Sequence, residues 1–196
     1  MPAILVLAAG ASTRLGRPKQ LLVYQGQSLL RRAAQTAIAA AAGAPVVVVT
    51  GAQHEALLPE LDGLPLTVAC CPDWEQGMGA SLKFGMAALR SLCSSWSSVI
   101  VMLCDQPHVT PELLLQLAEA HTATGRPIVA TAYAGTHGVP VFFAAEALPL
   151  CQQLPDSAGA GLLLKQRPEL VATVSFPAGA IDVDTEAQYA ALLAGE

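Results

Sequence analysis

Short, continuously apolar runs alternate along this chain with stretches of helical periodicity, and this alternation limits the folds available to it. The runs are rich in β-branched residues and are bounded by Gly, Pro or Asp, which is typical of strands. Because the runs show little polar alternation, we expect strands that are covered on both faces, as in a parallel sheet. The predicted strands are Ala3–Leu7, Val46–Thr50, Leu66–Cys70, Val99–Cys104 and Ile128–Thr131.

Helical patterns lie between these runs. Ser28–Ala42 and Ala80–Leu92 each place their apolar residues on one face. Thr110, followed by Pro111, and Thr185, with a glutamine three residues later, are typical helix starts. The order predicts an α/β fold with a doubly wound, mostly parallel sheet, helices on both faces and ligands at the carboxyl ends of the strands. Gly138–Phe143 and Leu170–Phe176 are further candidate strands, either antiparallel or at an edge.

The composition excludes several classes of protein. Hydrophobic residues make up 53% of the chain against 13% charged, yet no apolar run approaches the roughly 20 residues that a membrane span needs. The N-terminal apolar stretch is too short for a signal sequence. We therefore expect one domain over residues 1–196, in the cytoplasm and away from membranes. The cysteines are odd in number, lack metal-site spacing and are expected to be reduced: Cys70, Cys71, Cys93, Cys104 and Cys151.

The loop after the first predicted strand has the features of an anion site. It runs from Gly10 to Lys19, is made largely of small residues, and carries Arg14, Arg17 and Lys19. Backbone N–H groups can approach a phosphate where no bulky side chain intervenes, and the cations can neutralise it. No acid occurs before Glu55, although the net charge of the whole chain is −5. This asymmetry favours a small anionic ligand and argues against nucleic acid.

Spacing rules out two common phosphate motifs. A dinucleotide fingerprint requires Gly-x-Gly-x-x-Gly, whereas Gly10 and Gly16 are separated by five residues. A Walker loop requires Lys-Ser or Lys-Thr after its second glycine, whereas Gly16 is followed by Arg17. The loop therefore represents a third type of phosphate site.

Two aspartates are candidate metal ligands. Asp105 follows an apolar strand and is expected at the ligand edge of the sheet. A lone aspartate at a strand end is often only a turn former, but beside a phosphate loop it suits a bridging Mg²⁺. Asp182 and Asp184 supply the partner carboxylate, and strand alternation would point both the same way. The alternative for this pair is helix capping, and we favour Asp184 for the metal.

A glycine-containing helix entrance, Trp74 to Leu82, is the third element. Gly77 and Gly79 would let the backbone lie against a flat ligand, and Ser81 could donate a hydrogen bond to it. An ordinary loop-to-helix turn explains the same residues equally well. No histidine has metal-ligand spacing or a nucleophile at a recognisable offset.

The motifs together resemble a known family. Leu7–Leu22 is similar to the signature of nucleotidyltransferases of the molybdenum cofactor type. Ala9 stands where the guanylyl relatives carry glycine, so the segment most resembles molybdenum cofactor cytidylyltransferase. Four shorter motifs follow in the order of the family: Gly77–Leu82, Cys104–Pro107, Gly138–Val141 and Asp182–Thr185.

The resemblance implies a Rossmann-like domain of the nucleotide-diphospho-sugar transferase type, which transfers CMP from CTP to the phosphate of molybdenum-bearing molybdopterin and releases pyrophosphate. It implies Mg²⁺, with Mn²⁺ as an alternative, and a molybdoenzyme as a candidate recipient. The implied catalytic residues are Arg14, Lys19 and Asp105, and the implied metal ligands Asp105 and Asp184. The nucleotide would be held by Leu7, Ala8, Ala9, Gly10, Arg14, Lys19, Gly77, Gly79 and Ser81. The acceptor would be held by Gln106, Pro107, Gly138 and Pro140.

Two departures from the family pattern lie in the acceptor half. Val139 stands where a histidine is common, and Gly161 stands where a basic residue is usual. They leave the nucleotide motifs intact and keep two alternatives open. One is transfer to another phosphorylated acceptor, such as a sugar phosphate or phospholactate. The other is a non-catalytic chaperone that carries a nucleotide or cofactor for a molybdenum hydroxylase.

Overall fold

The computed structural model describes residues 1–92 and 96–195 and is built on a seven-stranded sheet. Its order is β5-β4-β1-β6-β8-β7-β9, and β8 alone runs antiparallel to its neighbours. β2 and β3 form a separate hairpin. The strands are β1 (Ala3–Leu7), β2 (Val23–Tyr24), β3 (Gln27–Ser28), β4 (Val46–Thr50), β5 (Thr67–Cys70), β6 (Ser98–Leu103), β7 (Ile128–Tyr133), β8 (Thr136–Ala144) and β9 (Val171–Ser175).

Helices cover both faces of the sheet, which confirms the doubly wound arrangement. α1, α2 and α4 pack on one face, while α3, α5 and α6 pack on the other. α7 packs instead with Leu15 and Leu22, near the loop that follows β1. The helices are α1 (Leu29–Ala41), α2 (His54–Leu61), α3 (Met78–Leu92), α4 (Pro111–Thr124), α5 (Leu148–Gln152), α6 (Ala160–Gln166) and α7 (Glu186–Ala194).

The central strands are buried on both sides, as their continuous apolarity predicts. Along β1, Ile4 and Val6 face the α1 side, whereas Leu5 and Leu7 face the α3 side. All five residues of β1 and of β4 are buried. Such strands leave little room for charged side chains, and the charged residues of the site lie in the loops that follow the strands.

Side chains cap the helices where the sequence predicts. The Thr110 hydroxyl accepts a hydrogen bond from the Leu113 N–H at 3.3 Å, and the Thr185 hydroxyl accepts one from the Gln188 N–H at 3.2 Å. Each cap satisfies a backbone donor that the first helical turn leaves free. The caps fix where α4 and α7 begin, and both helices follow an aspartate-bearing segment.

The candidate strands Gly138–Phe143 and Leu170–Phe176 correspond to β8 and β9, one of which is antiparallel and the other at an edge of the sheet. β8 is antiparallel but lies inside the sheet, between β6 and β7, because a tight β7–β8 turn returns the chain. β9 is the edge strand and runs parallel to β7. Cys70, Cys71, Cys104 and Cys151 are free thiols, whereas Cys93 lies outside the described residues. Among the described helices, none combines the length and apolarity that crossing a membrane demands.

Candidate active site

Three cavities adjoin at the carboxyl ends of β1 and β6. We call them by one lining residue each: the Trp74 cavity, of about 270 Å³, the Tyr133 cavity, of about 220 Å³, and the Arg14 cavity, of about 150 Å³. Lys19 lines both the Trp74 and Arg14 cavities, and Asp105 lines both the Trp74 and Tyr133 cavities. The contact between these two side chains therefore lies where the cavities meet.

The loop after β1 is held in shape by a buried glutamine. Gln20 is 1% exposed, and its side-chain amide donates to the carbonyl oxygens of Ala8 at 3.0 Å and Gly10 at 2.8 Å. Ser12 donates to the Gln20 Oε1 at 3.2 Å and accepts from the Lys19 N–H at 3.1 Å. The sequence analysis did not assign Gln20 to the site. The one feature of the sequence that could have indicated its role is its position within Leu7–Leu22, the segment that resembles the family signature.

Lys19 bridges two carboxylates. Its Nζ lies 2.5 Å from Asp105 Oδ2 and 2.7 Å from Asp184 Oδ1. Burial alone would lower the pKa of Lys19, but attraction to Asp105 and hydrogen bonds to both carboxylates raise it overall. The ammonium is therefore charged at neutral pH, and it joins the loop after β1 to residues far along the chain.

The other two loop cations also contact acids near the C-terminus. Arg14 Nη2 lies 2.6 Å from Asp184 Oδ2, and Arg17 binds both carboxylate oxygens of Glu186, at 2.7 and 2.9 Å. Burial favours the neutral form of Asp184, yet the hydrogen bond from Lys19 and the charges of Lys19 and Arg14 lower its pKa. Both oxygens of Asp184 are thus occupied by cations.

Asp182 and Asp184 do not share one environment. Ile181–Asp184 forms no strand, and the Val183 N–H donates to the Asp105 carbonyl at 3.2 Å. Asp182 lines the Tyr133 cavity, whereas Asp184 lines the Arg14 cavity. The pKa of Asp182 is raised by burial and by the charges of Asp184 and Asp105. The two carboxylates therefore line different, adjoining cavities, and a metal site shared by both stays a prediction.

The donor set suits a hard divalent cation. Asp105 is 5% exposed, and its Oδ1 is buried with no hydrogen-bond partner, as expected of an atom kept for an ion. Among residues 1–92 and 96–195, no group of three His, Cys, Asp or Glu side chains converges as a complete metal site. Mg²⁺ and Mn²⁺ accept oxygen ligands, and Mg²⁺ commonly takes only one or two protein carboxylates. Asp105 and Asp184 fit that requirement.

The glycine segment before α3 only partly matches the prediction. Gly77 and Ser81 line the Trp74 cavity, together with Trp74, Glu75 and Met78, which sequence reasoning did not assign. Gly79 does not line it. A Cβ on Gly79 would lie 2.2 Å from the Pro155 carbonyl oxygen, and its N–H donates to the Asp156 carbonyl at 2.8 Å. Close packing against residues 155–158 therefore accounts for this glycine, and its assignment to the base stays a prediction.

The predicted acceptor residues also separate. Gln106 lines the Tyr133 cavity, but Pro107, Gly138 and Pro140 do not. The Pro107 carbonyl accepts from Arg32 Nε at 3.0 Å, and Pro140 is buried within β8. Gly138 lies behind a tyrosine, where a Cβ would be 2.1 Å from Tyr133 Oη. Gly138 therefore lies behind the wall of the cavity, whereas Val139 lines it directly. The remaining predicted residues, Leu7, Ala8, Ala9 and Gly10, line the Trp74 cavity.

A comparison with known families agrees with this geometry. The model of the MobA-like NTP transferase domain matches residues 4–171. The chain belongs to this family. It is therefore a nucleotidyltransferase by family, and its sheet is the Rossmann-like sheet of nucleotide-diphospho-sugar transferases.

Two relatives illustrate the range of the family. Nicotine blue oxidoreductase from Paenarthrobacter nicotinovorans is 34% identical over 96% of this chain and 94% of that protein. The bifunctional protein GlmU from Corynebacterium aurimucosum is 34% identical over 64% of this chain but only 26% of that protein. The first relative matches from end to end, whereas the chain spans about a quarter of the second.

Solved structures match nearly the whole chain. Rv0371c from Mycobacterium tuberculosis H37Rv has a TM-score of 0.80 at 28% identity and covers 99% of this chain and 98% of its own. Its complex with manganese has a TM-score of 0.76 at 26% identity, with the same coverage. A nucleotidyl transferase from Methanothermobacter, Mth528, has a TM-score of 0.83 at 22% identity, covers 100% of this chain and 97% of its own, and shows the fold alone.

Proposed function

We propose that this enzyme transfers CMP from CTP to the terminal phosphate of molybdenum-bearing molybdopterin and releases pyrophosphate. The observation that carries the proposal is the contact of Lys19 with Asp105 and Asp184 where three cavities meet. Nucleotidyl transfer requires three sites that share one centre, for the nucleoside, for the departing phosphates and for the acceptor. The three cavities supply that arrangement.

The Trp74 cavity would take the nucleoside. Leu7, at the end of β1, and the small residues Ala8, Ala9 and Gly10, which follow it, line this cavity. Gly77 lines it from the segment before α3, and Ser81 lines it from α3. The choice of cytosine is supported by Ala9, the residue at which the chain resembles the cytidylyl branch of the family. CTP is therefore the favoured donor, and GTP and UTP are the alternatives for the assay.

The Arg14 cavity would take the β- and γ-phosphates. Arg14 and Lys19 both line it and would hold these phosphates with charge-assisted hydrogen bonds. In the ligand-free protein their partners are carboxylates, so a triphosphate would replace one set of anionic oxygens by another. Lys19 would also neutralise the charge that develops on the leaving pyrophosphate.

Asp105 and Asp184 would hold Mg²⁺, or Mn²⁺, beside the α-phosphate. The buried, unpartnered Oδ1 of Asp105 supports this assignment. The manganese complex of the similar Rv0371c supports a divalent ion in this fold, although it concerns that protein. When bound, the ion supplies Lewis-acid polarisation of the phosphate oxygens.

The reaction would be an in-line displacement. An oxygen of the acceptor phosphate forms the new bond to the α-phosphorus, and the bond between that phosphorus and the bridging oxygen breaks, so that pyrophosphate leaves. The acceptor phosphate is already ionised, so Asp105 and Lys19 need not move a proton. They position and neutralise the reacting groups, which is the main contribution that proteins make to phosphoryl chemistry.

Pyrophosphate release tests the proposal most simply. The assay combines CTP, GTP or UTP with Mg²⁺ and candidate phosphorylated acceptors. We expect release that depends on both CTP and an acceptor. Replacement of Asp105 by asparagine should lower kcat by about a hundredfold or more, the scale of losing one electrostatic stabiliser. The matched control Asp62→Asn changes an exposed aspartate at the end of α2 and should leave kcat unchanged. Near-parent turnover of Asp105→Asn would remove this residue from the metal role.

The name of one relative favours a second candidate. Nicotine blue oxidoreductase is named for a redox reaction, so reduction of a dye is the second candidate activity for this chain. Consumption of NADH or NADPH in the presence of a dye acceptor would detect that activity. Such consumption without nucleotide-dependent pyrophosphate release would favour the redox candidate. We propose a cytoplasmic setting for either reaction, with a molybdoenzyme as the recipient of a cofactor product.

A further inference from the structure

The Tyr133 cavity has a chemical character that the reaction alone does not require. Its lining includes two carboxylates, from Asp105 and Asp182, together with the Gln106 amide and the hydroxyl groups of Tyr133 and Thr136. Among its described lining residues there is no lysine, arginine or histidine. The cavity is therefore rich in hydrogen-bond acceptors and negative in charge.

Two buried oxygen atoms at this cavity lack partners. Asp105 Oδ1 and Gln106 Oε1 accept no hydrogen bond from any described residue, and their side chains are 5% and 6% exposed. Buried acceptors of this kind are rarely left unpaired, because losing water without a replacement costs about 1–3 kcal/mol. The Asp105 oxygen has a use in metal binding, but the Gln106 oxygen has none in the reaction described above.

The two carboxylates of the cavity differ in their partners. Asp105 is paired with the Lys19 ammonium at 2.5 Å, whereas no cation lies within salt-bridge distance of Asp182 among the described residues. The nearest anchor of Asp182 is Gln188, which donates to Oδ1 at 3.0 Å and is uncharged.

The tyrosine of the cavity is held by close packing. A Cβ on Gly138 would lie 2.1 Å from Tyr133 Oη, and one on Gly179 would lie 2.6 Å from Tyr133 Cδ1. Two glycines thus make the slot in which the ring lies, and burial raises the pKa of its hydroxyl, which stays protonated. Close packing therefore fixes the position of the tyrosine ring in the cavity that Gln106 and Asp182 also line.

We propose that the Tyr133 cavity binds the part of the acceptor nearest its phosphate and selects a group that carries O–H or N–H donors over a carboxylate or a second phosphate. This inference deepens the proposed function and rests on it. Asp182 and the Gln106 oxygen would accept hydrogen bonds from the acceptor, and Asp182 would repel a carboxylate or second phosphate. A volume of about 220 Å³ matches roughly seven waters at ~30 Å³ each, which suits a small polyol or heterocycle. Acidic acceptors such as phospholactate are thereby disfavoured.

A matched pair of phosphomonoesters tests the selection. Glycerol 3-phosphate and 3-phosphoglycerate differ mainly in one end, which is a hydroxymethyl group in the first and a carboxylate in the second. Their affinities are measured by calorimetry on protein that is already loaded with Mg²⁺ and a CTP analogue whose α–β bridging oxygen is replaced by methylene. We expect glycerol 3-phosphate to bind at least about tenfold more tightly.

Neutralising one residue should remove this preference. Asp182→Asn keeps the Oδ1 that accepts from Gln188, so the cavity wall is preserved, and the affinity ratio should fall to within about threefold. The control Asp62→Asn makes the same charge change outside the cavity and should keep the tenfold ratio.

The outcomes separate the two proposals. Equal or tighter binding of 3-phosphoglycerate, an unchanged ratio in Asp182→Asn, or no saturable binding of either ester would overturn the assignment of this cavity. Binding of the CTP analogue is recorded first in the same cell. Its failure would instead count against the proposed function.

Discussion

Lys19 makes its two shortest contacts with residues that are 86 and 165 positions away along the chain. The sequence around it shows a cation in a small-residue loop, but its partners become visible only in three dimensions. In the ligand-free protein, Asp105 and Asp184 balance the charges that a triphosphate would balance. This exchange of partners is the basis for the predictions at the residue scale.

Removing either loop cation should weaken nucleotide binding. Lys19→Ala and Arg14→Ala each delete one charge-assisted contact, worth about 1.5–3 kcal/mol, so CTP affinity should fall about 10- to 100-fold. Arg14 has a side chain that is 73% exposed, so its removal leaves the fold intact. Calorimetry with Mg²⁺ and CTP measures both variants against Lys165→Ala, which changes an exposed lysine on α6. Parent-like affinity in both loop variants would contradict the phosphate role.

The two C-terminal aspartates should affect stability in opposite directions. The pKa of Asp184 is lowered below 3.8 in the folded state, so its carboxylate stabilises the protein above that pH. The pKa of Asp182 is raised above 3.8, so its carboxylate destabilises the folded state at neutral pH. Asp184→Asn should therefore be less stable than the parent at neutral pH, and Asp182→Asn more stable.

Acid titration of unfolding provides the check. The Asp184→Asn difference should disappear as the pH falls through the lowered pKa, below 3.8. The Asp182→Asn difference should fade earlier, between its raised pKa and 3.8. Urea unfolding at a series of pH values measures both curves. A shared sign for the two variants at neutral pH would contradict the environments described here.

At the scale of elements, the strands were the most predictable feature. Ala3–Leu7 and Val46–Thr50 have the predicted bounds, because five apolar residues in the first and four consecutive valines in the second, all buried, leave little choice of register. The β2–β3 hairpin and the short helices α5 and α6 had no comparable signal. β8 shows the limit of the pattern: its antiparallel direction was one alternative, but its insertion beside β6 depends on long-range pairing.

The two threonine caps offer a matched test of how α7 positions the site. Thr110→Ala and Thr185→Ala should each cost about 1 kcal/mol of folding stability, because each removes one N-cap hydrogen bond. Only Thr185→Ala should also weaken Mg²⁺-dependent CTP binding, since Gln188 of the same cap accepts from the Asp184 N–H at 3.1 Å. Thermal unfolding and calorimetry measure the two effects. Equal losses of CTP affinity in both variants would count against a role for α7 in the site.

At the scale of the whole molecule, the site is closed by segments from both ends of the described chain. The carboxyl-end rule for parallel sheets predicted that Asp105 would lie near the loop after β1, and the two are in contact. The contributions of Trp74 and of Tyr133, at the end of β7, could not be predicted, because large aromatic residues are more often part of a core. The close packing of Gly79 could not be predicted either, since it depends on residues 155–158, which are distant in sequence.

The central claim is that the loop cations, Asp105 and Asp184 together form a site for a metal–triphosphate pair. Calorimetric titration of CTP with and without Mg²⁺, on the parent and on Asp105→Asn, tests it directly. The account predicts that Mg²⁺ strengthens CTP binding to the parent by about tenfold or more. The affinity of Asp105→Asn for CTP should be nearly the same with and without Mg²⁺. Equal CTP affinity of the parent with and without Mg²⁺, or no CTP binding at all, would contradict it.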